Sequence, residues 1–112
     1  MRILYKIMSA GEWRDAVAAG VFEGSAVDRK DGFIHLSAAH QVRETAAKHF
    51  AGQDNLVLIR FAEDDLENLK WEPSRGGDLF PHVYGVIATR LARAVDLLPF
   101  EAGAHRFPED VA

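Results

Sequence analysis

The segment Asn55-Leu56-Val57-Leu58-Ile59-Arg60-Phe61 constrains this chain more than any other. Its apolar residues run on without the alternation of a half-exposed strand, and most are types that strands accept well. It predicts a central strand buried on both faces, in a domain layered around it. Chain length agrees: 112 residues suit one hydrophobic core, because a chain of this size buries roughly two thirds of its unfolded surface. We expect a single domain over residues 1–100 and a C-terminal tail over 101–112. The tail loses the apolar pattern, contains Gly103 and Pro108, and should pack loosely or fray.

Other elements follow from local signals. Arg2 to Met8 reads as a first strand. Ser9 stands three residues before Glu12, the capping-box spacing, and Trp13, Ala16 and Val17 recur at helical intervals up to Gly20. Val21 to Gly32 should be a surface connection. Phe33 to Leu36 forms a second strand, and Ser37 caps a helix from about Ala38 to Ala51, stopped by Gly52. Beyond the central strand come an acidic turn within Ala62–Leu69, a short strand Lys70-Trp71-Glu72, and a mobile loop Pro73–Asp78. An aromatic segment Leu79–Gly85, a turn within Ala88–Arg93 and a closing strand Ala94–Phe100 complete the domain. Short strands with two helices near the front define the α+β class.

Composition narrows the function. With 48% hydrophobic and 27% charged residues the chain is not a disordered one. A net charge of -4 argues against duplex nucleic acid as partner, since phosphate neutralisation needs clustered Lys and Arg. The absence of cysteine excludes a disulfide scaffold, a thiol nucleophile and a Cys-ligated metal. Aliphatic runs such as Leu56 to Ile59 are far short of the roughly 18 residues of a membrane span. A cytoplasmic enzyme or binding module fits.

Three polar clusters sit among apolar residues. In Asp31-Gly32-Phe33-Ile34-His35-Leu36-Ser37, strand alternation puts Phe33, His35 and Ser37 on one face, a natural pocket wall. The alternative is a plain helix cap at Ser37 and a satisfied, half-buried His35. In Leu79-Phe80-Pro81-His82-Val83-Tyr84-Gly85, His82 and Tyr84 face the same way if the segment is extended, and both can hydrogen-bond a ligand; an aromatic turn is the competing account. In Trp71-Glu72-Pro73-Ser74-Arg75, Trp71 can stack on a planar ligand, and Arg75 can clamp a phosphate or carboxylate or simply be solvated. Pro73 holds Glu72 extended beside the tryptophan. No phosphate-cradling glycine loop and no acyl-hydrolase elbow occur. His40 and His49, nine apart on one helix, point to opposite faces, so the spacing argues against a shared metal.

In these strings, Asp31 to Ser37 followed by Gln41, then Trp71-Glu72-Pro73 and Phe80 to Gly85, the chain resembles a small bacterial family known as domain of unknown function nine-five-two. The resemblance runs from Leu4 to about Pro99. That family is grouped with the ADP-ribosyltransferase superfamily and is most similar to its RNA 2′-phosphotransferase branch. The resemblance implies an ADP-ribosyltransferase-like split of two small, mainly antiparallel sheets with two helices, abutting across a cleft that holds NAD. It implies further that Tyr5 belongs to the first-strand part of the site, that His35 and Ser37 contact a ribose, and that His82 and Tyr84 line the same cleft. Where the branch carries a first-strand histidine this chain has Lys6, which cannot accept a hydrogen bond while protonated.

The leading expectation is therefore a small cytoplasmic protein that binds NAD or a related nucleotide. Its chemistry, if catalytic, would be glycosidic cleavage at nicotinamide, with Glu72 as the acidic partner. The alternative, favoured by Lys6, is a non-catalytic interaction or regulatory module with a relic cleft. Neither expectation involves a metal, duplex nucleic acid or a membrane, and the sequence is silent on oligomeric state.

Overall fold

A computed structural model describes residues 1–111, and at Arg75 the backbone alone. In chain order its elements are β1 (Ile3–Ser9), α1 (Ala10–Ala19), β2 (Val21–Phe22), α2 (Ala26–Asp31), β3 (Ile34–His35), β4 (Ser37–Ala38) and α3 (Ala39–His49). There follow β5 (Leu56–Ala62), β6 (Leu69–Pro73), β7 (Leu79–Val83), β8 (Ile87–Ala88), β9 (Ala92–Leu98), β10 (Phe100–Glu101) and β11 (Ala104–His105). The class is α+β, with small antiparallel sheets and three helices.

β5 is interior to the largest sheet, whose order is β4-β1-β5-β9. It pairs with β1 from Ile3↔Ala62 to Ser9↔Leu56 and with β9 on its other edge. Alternation splits its side chains between two cores. Val57, Ile59 and Phe61 join Leu4, Met8, Ile34, Val83 and Ile87 on one side; Leu56 and Leu58 join Tyr5, Ile7, Val42, Ala46 and Leu98 on the other. The first core is closed by α1 through Trp13 and by a second sheet, β3-β7-β6. The second is closed by α3. Each layer hides one face of the central sheet, which is why the run in β5 does not alternate.

The second sheet divides its own residues in the same way. Ile34 and Val83 turn into the first core together with Leu69 and Trp71. The opposite face gathers Phe33, His35, Glu72, His82 and Tyr84.

Three expectations are corrected. The stretch read as a surface connection contains β2 and the six-residue α2, so there are three helices rather than two, and Asp28 within it is buried. A helix that short cannot display a period. Ser37 is not a helix cap. It lies in β4 opposite Tyr5, while Ala38 is the cap and its N–H is satisfied by Gln41 Oε1 at 3.0 Å. The strand expected over Phe33–Leu36 is present in shorter form as β3, and Leu36 N–H continues its contact with β7 through Pro81 O at 3.0 Å. Lastly, the C-terminal stretch does not pack loosely.

Arg60, the lone charge in the apolar strand, explains that last difference. Its guanidinium makes a two-pronged bond to Asp110 at 2.7 and 2.8 Å, and Arg43 donates to the Val111 carbonyl at 2.8 Å. Val111 is buried in the second core beside Phe107. Chains lacking residues 107–112 should therefore lose stability, by about 2 kcal/mol or more from the apolar burial of Val111 and Phe107. Urea midpoints measured with and without these residues check this, and a fraying tail would leave the midpoint unchanged.

Candidate functional site

A cavity of about 740 Å³ opens where the two sheets meet, between α2 and α3. Its walls include Tyr5, Lys6, Asp28, His35, Ser37 and His82, with Phe50 and Phe80 among the apolar contributors.

The floor is built from α2. Gly24, at φ +107°, brings the chain so close that a Cβ there would lie 2.9 Å from Asp28 Cβ. The helix start then holds Asp28 through Ser25 N–H to Oδ2 at 2.9 Å. Lys6 of β1 reaches the same carboxylate at 2.9 and 3.2 Å, and spends a further donor on the His35 carbonyl at 2.8 Å. His35 contributes its backbone N–H at 3.1 Å and Nδ1 at 2.6 Å. Burial pushes the Asp28 carboxyl upward, but the His35 bond, the charge and bond of Lys6 and the Ser25 amide outweigh it and hold the group far below the usual carboxylate range. Burial also pulls Lys6 down, against the opposing effect of Asp28. The second ring nitrogen of His35, Nε2, faces Asp31 at 3.0 Å.

A second carboxylate–imidazole pair stands beside the first. His82 lies opposite His35 across the β3–β7 ladder, and its Nδ1 is 2.8 Å from Glu72 Oε1. The same oxygen accepts the Tyr84 hydroxyl at 2.7 Å. Phe33 stacks on the His82 ring at 4.1 Å between centroids. His82 is 3% exposed, and its Nε2 has no protein partner. The bonds from His82 and Tyr84 hold Glu72 below its ordinary range, so its carboxylate is ionised near neutrality.

The hairpin between β6 and β7 forms the rim through Ser74 and Phe80. Its tip is closed by Ser74 N–H to Asp78 O at 2.9 Å. Gln41 of α3 ties it down, donating to Asp78 Oδ2 at 2.9 Å and to the Leu79 carbonyl at 2.7 Å.

Of the residues singled out from sequence, Tyr5, His35, Ser37 and His82 line one cavity. Glu72 and Tyr84 reach it through His82. Trp71 does not: it packs on the first core, and its Nε1–H is bonded to Glu63 at 2.7 Å. The side chain of Arg75 lies outside the described residues. Sequence reasoning passed over Asp28 and Thr45, whose hydroxyl is 3.0 Å from that of Ser37. For Asp28 a signal existed, in the Ser25-x-x-Asp28 spacing that opens α2. Among the described residues no cluster of three or more His, Asp or Glu side chains is arranged to hold a metal ion. No helix there is long and apolar enough to cross a membrane.

An α+β domain with a ligand-sized cavity between two small sheets is thus the class in hand. The chain belongs to the family described as Protein of unknown function (DUF952), whose signature matches residues 7–95. It is similar to protein CC0527 of Caulobacter crescentus, at 51% identity, with 93% of each chain covered and a TM-score of 0.89 to the crystal structure. A double-methionine variant of that protein gives 0.88 over the same 93% of each chain, again at 51% identity. Its solution structure, also at 51% identity, gives 0.84 over 94% of this chain and 91% of that one. No curated protein matches this chain.

The Lys6–Asp28 pair generates a prediction. Lys6→Met should destabilise the domain by roughly 3–5 kcal/mol, because it leaves a buried carboxylate short of its cation. Lys6→Met combined with Asp28→Leu should recover much of the loss. The Asp28 contribution has a pH signature: a depressed carboxylate stabilises fully above its unfolded value, about pH 4, and that stability drains away as the pH falls below it. Urea unfolding between pH 2 and 7 should show this acid limb in wild type and a flatter one in Asp28→Asn.

Proposed function

We propose that the cavity binds a nucleotide, NAD or a close relative, in a cytoplasmic protein of ADP-ribosyltransferase-like architecture. The observation that carries the reading is the cavity itself. At about 740 Å³ it is in the size range of small-molecule sites, and it combines apolar walls with the hydroxyls of Ser37 and Thr45 and two histidines. Asp31 and Glu12 also line it, so its charge suits a neutral or cationic moiety such as nicotinamide riboside. Lys6 is occupied by Asp28 and the His35 carbonyl, which leaves Arg75 as the proposed anion contact. Trp71, packed away from the cavity, has no part in this reading.

If there is turnover, the glycosidic bond to nicotinamide breaks, the pair of bonding electrons leaves with nicotinamide, and a nucleophile attacks the oxocarbenium-like ribose. Carboxylates at the cavity would stabilise that positive charge; Glu72 enters through His82. One observation favours the second reading, binding or regulation without turnover. Both ring nitrogens of His35 face carboxylates of the protein's own, so this histidine offers no free base.

Thermal shifts with NAD, ADP-ribose and AMP at millimolar concentration test the reading, since a ligand at a hundred times its Kd stabilises the folded state by about 2.7 kcal/mol. An upward shift with NAD or ADP-ribose is expected. No shift with any of the three overturns nucleotide binding. Chromatography for released nicotinamide then separates turnover from binding alone.

A further inference from the structure

The polar group most in need of explanation is His82 Nε2. Buried imidazole nitrogens are normally hydrogen-bonded, yet this one has no protein partner although the residue is 3% exposed. Its other nitrogen is fixed. Glu72 Oε1 stands 2.8 Å from Nδ1 and accepts the Tyr84 hydroxyl as well. An ionised carboxylate can only accept, so the proton of a neutral His82 resides on Nδ1 and the lone pair on Nε2. His82 lines the cavity beside His35 of the neighbouring strand β3, with 5.4 Å between the ring centroids, and Phe33 stacks on its ring.

We propose that His82 Nε2 is a hydrogen-bond acceptor reserved for the ligand, so that the cavity selects molecules presenting a hydroxyl there, with Glu72 and Tyr84 as positioning residues that set the tautomer. This deepens the reading of the cavity as a nucleotide site, and rests on it for the ligand though not for the tautomer. A ligand offering only acceptors at that point, such as a bare carboxylate or phosphate oxygen, meets a lone pair and is rejected. A ribose hydroxyl donates and is held. Glu72 on this account never touches the ligand: it acts by keeping one nitrogen of its neighbour protonated and the other free.

Nitrogen-15 spectroscopy of the histidines in the full chain tests the tautomer without any ligand. In its neutral form wild-type His82 should be protonated on Nδ1, and Glu72→Leu should shift it toward the Nε2–H form; Glu72→Asp should restore the original form at least in part. A wild-type His82 protonated on Nε2 overturns the inference whatever the cavity binds. The second arm titrates nicotinamide riboside and nicotinamide, which differ by the hydroxylated sugar. The riboside should move the Nε2 resonance and nicotinamide should not, and His82→Phe should weaken riboside or NAD binding by roughly three- to tenfold, the value of one hydrogen bond. Should NAD raise the melting temperature while Nε2 stays unmoved, the acceptor role fails and nucleotide binding stands. Should the tautomer be right and no nucleotide or riboside bind, the nucleotide reading fails and takes the selection role with it. If His82→Phe does not fold, the Nε2 resonance in wild type still decides.

Discussion

The ion pair between Lys6 and Asp28 is the interaction on which the cavity depends. Two charges removed from water are costly, and their attraction repays that cost only when the remaining donors and acceptors are also satisfied. Here they are. Asp28 receives the ammonium, two groups of His35 and the Ser25 amide, while Lys6 spends a further donor on the His35 carbonyl. The result pins a short helix and the first strand of the small sheet to the edge of the large one. A six-residue helix could not hold its place by propensity. Without the pair, α2 would have little reason to cover the floor.

This arrangement also gives the two histidines different natures. His35 has its ring nitrogens turned to Asp28 and Asp31 and is part of the scaffold, although it is the more exposed of the two. His82 is buried but has one nitrogen uncommitted. Exposure alone would have ranked them the other way. What matters for chemistry is how many of a side chain's hydrogen-bonding positions the protein has already used.

Much of the fold was legible in the sequence, for physical reasons that also mark where legibility stops. The central strand announced itself because two-sided burial removes alternation, and α1 because Ser9 and Gly20 cap a periodic segment: Glu12 N–H does bond Ser9 Oγ at 3.0 Å, and Gly20 is left-handed at φ +84°. Phe33 and His35 could be put side by side by alternation alone, whereas Ser37 passes into the other sheet. Asp28 could not be read as central, since an aspartate amid Gly, Ser and Lys is usually solvated, and only the fold reveals that Lys6 is waiting for it. Ser37 misled because serine before a helical period is the commonest cap signal, whereas here Gln41 supplies the capping oxygen from inside the helix. Trp71 misled in another way: β-alternation separated it from Glu72, and its apolar bulk went to the core.

The grip of Arg60 on Asp110 has a bearing on how the protein is made. The sheet is assembled from distant parts of the chain: β5 must find β9, and the charge in β5 finds its partner fifty positions downstream. On a ribosome, β1, α1 and even β5 emerge while the edge strand and the segment that neutralises Arg60 are still inside the exit tunnel. The central strand is then an apolar ribbon with one unpaired edge and an unmatched charge. Contacts this far apart in sequence cannot form step by step with synthesis. The folding of the domain therefore waits for β9 and Asp110 to emerge, and its vulnerable interval is the time between the emergence of β5 and theirs.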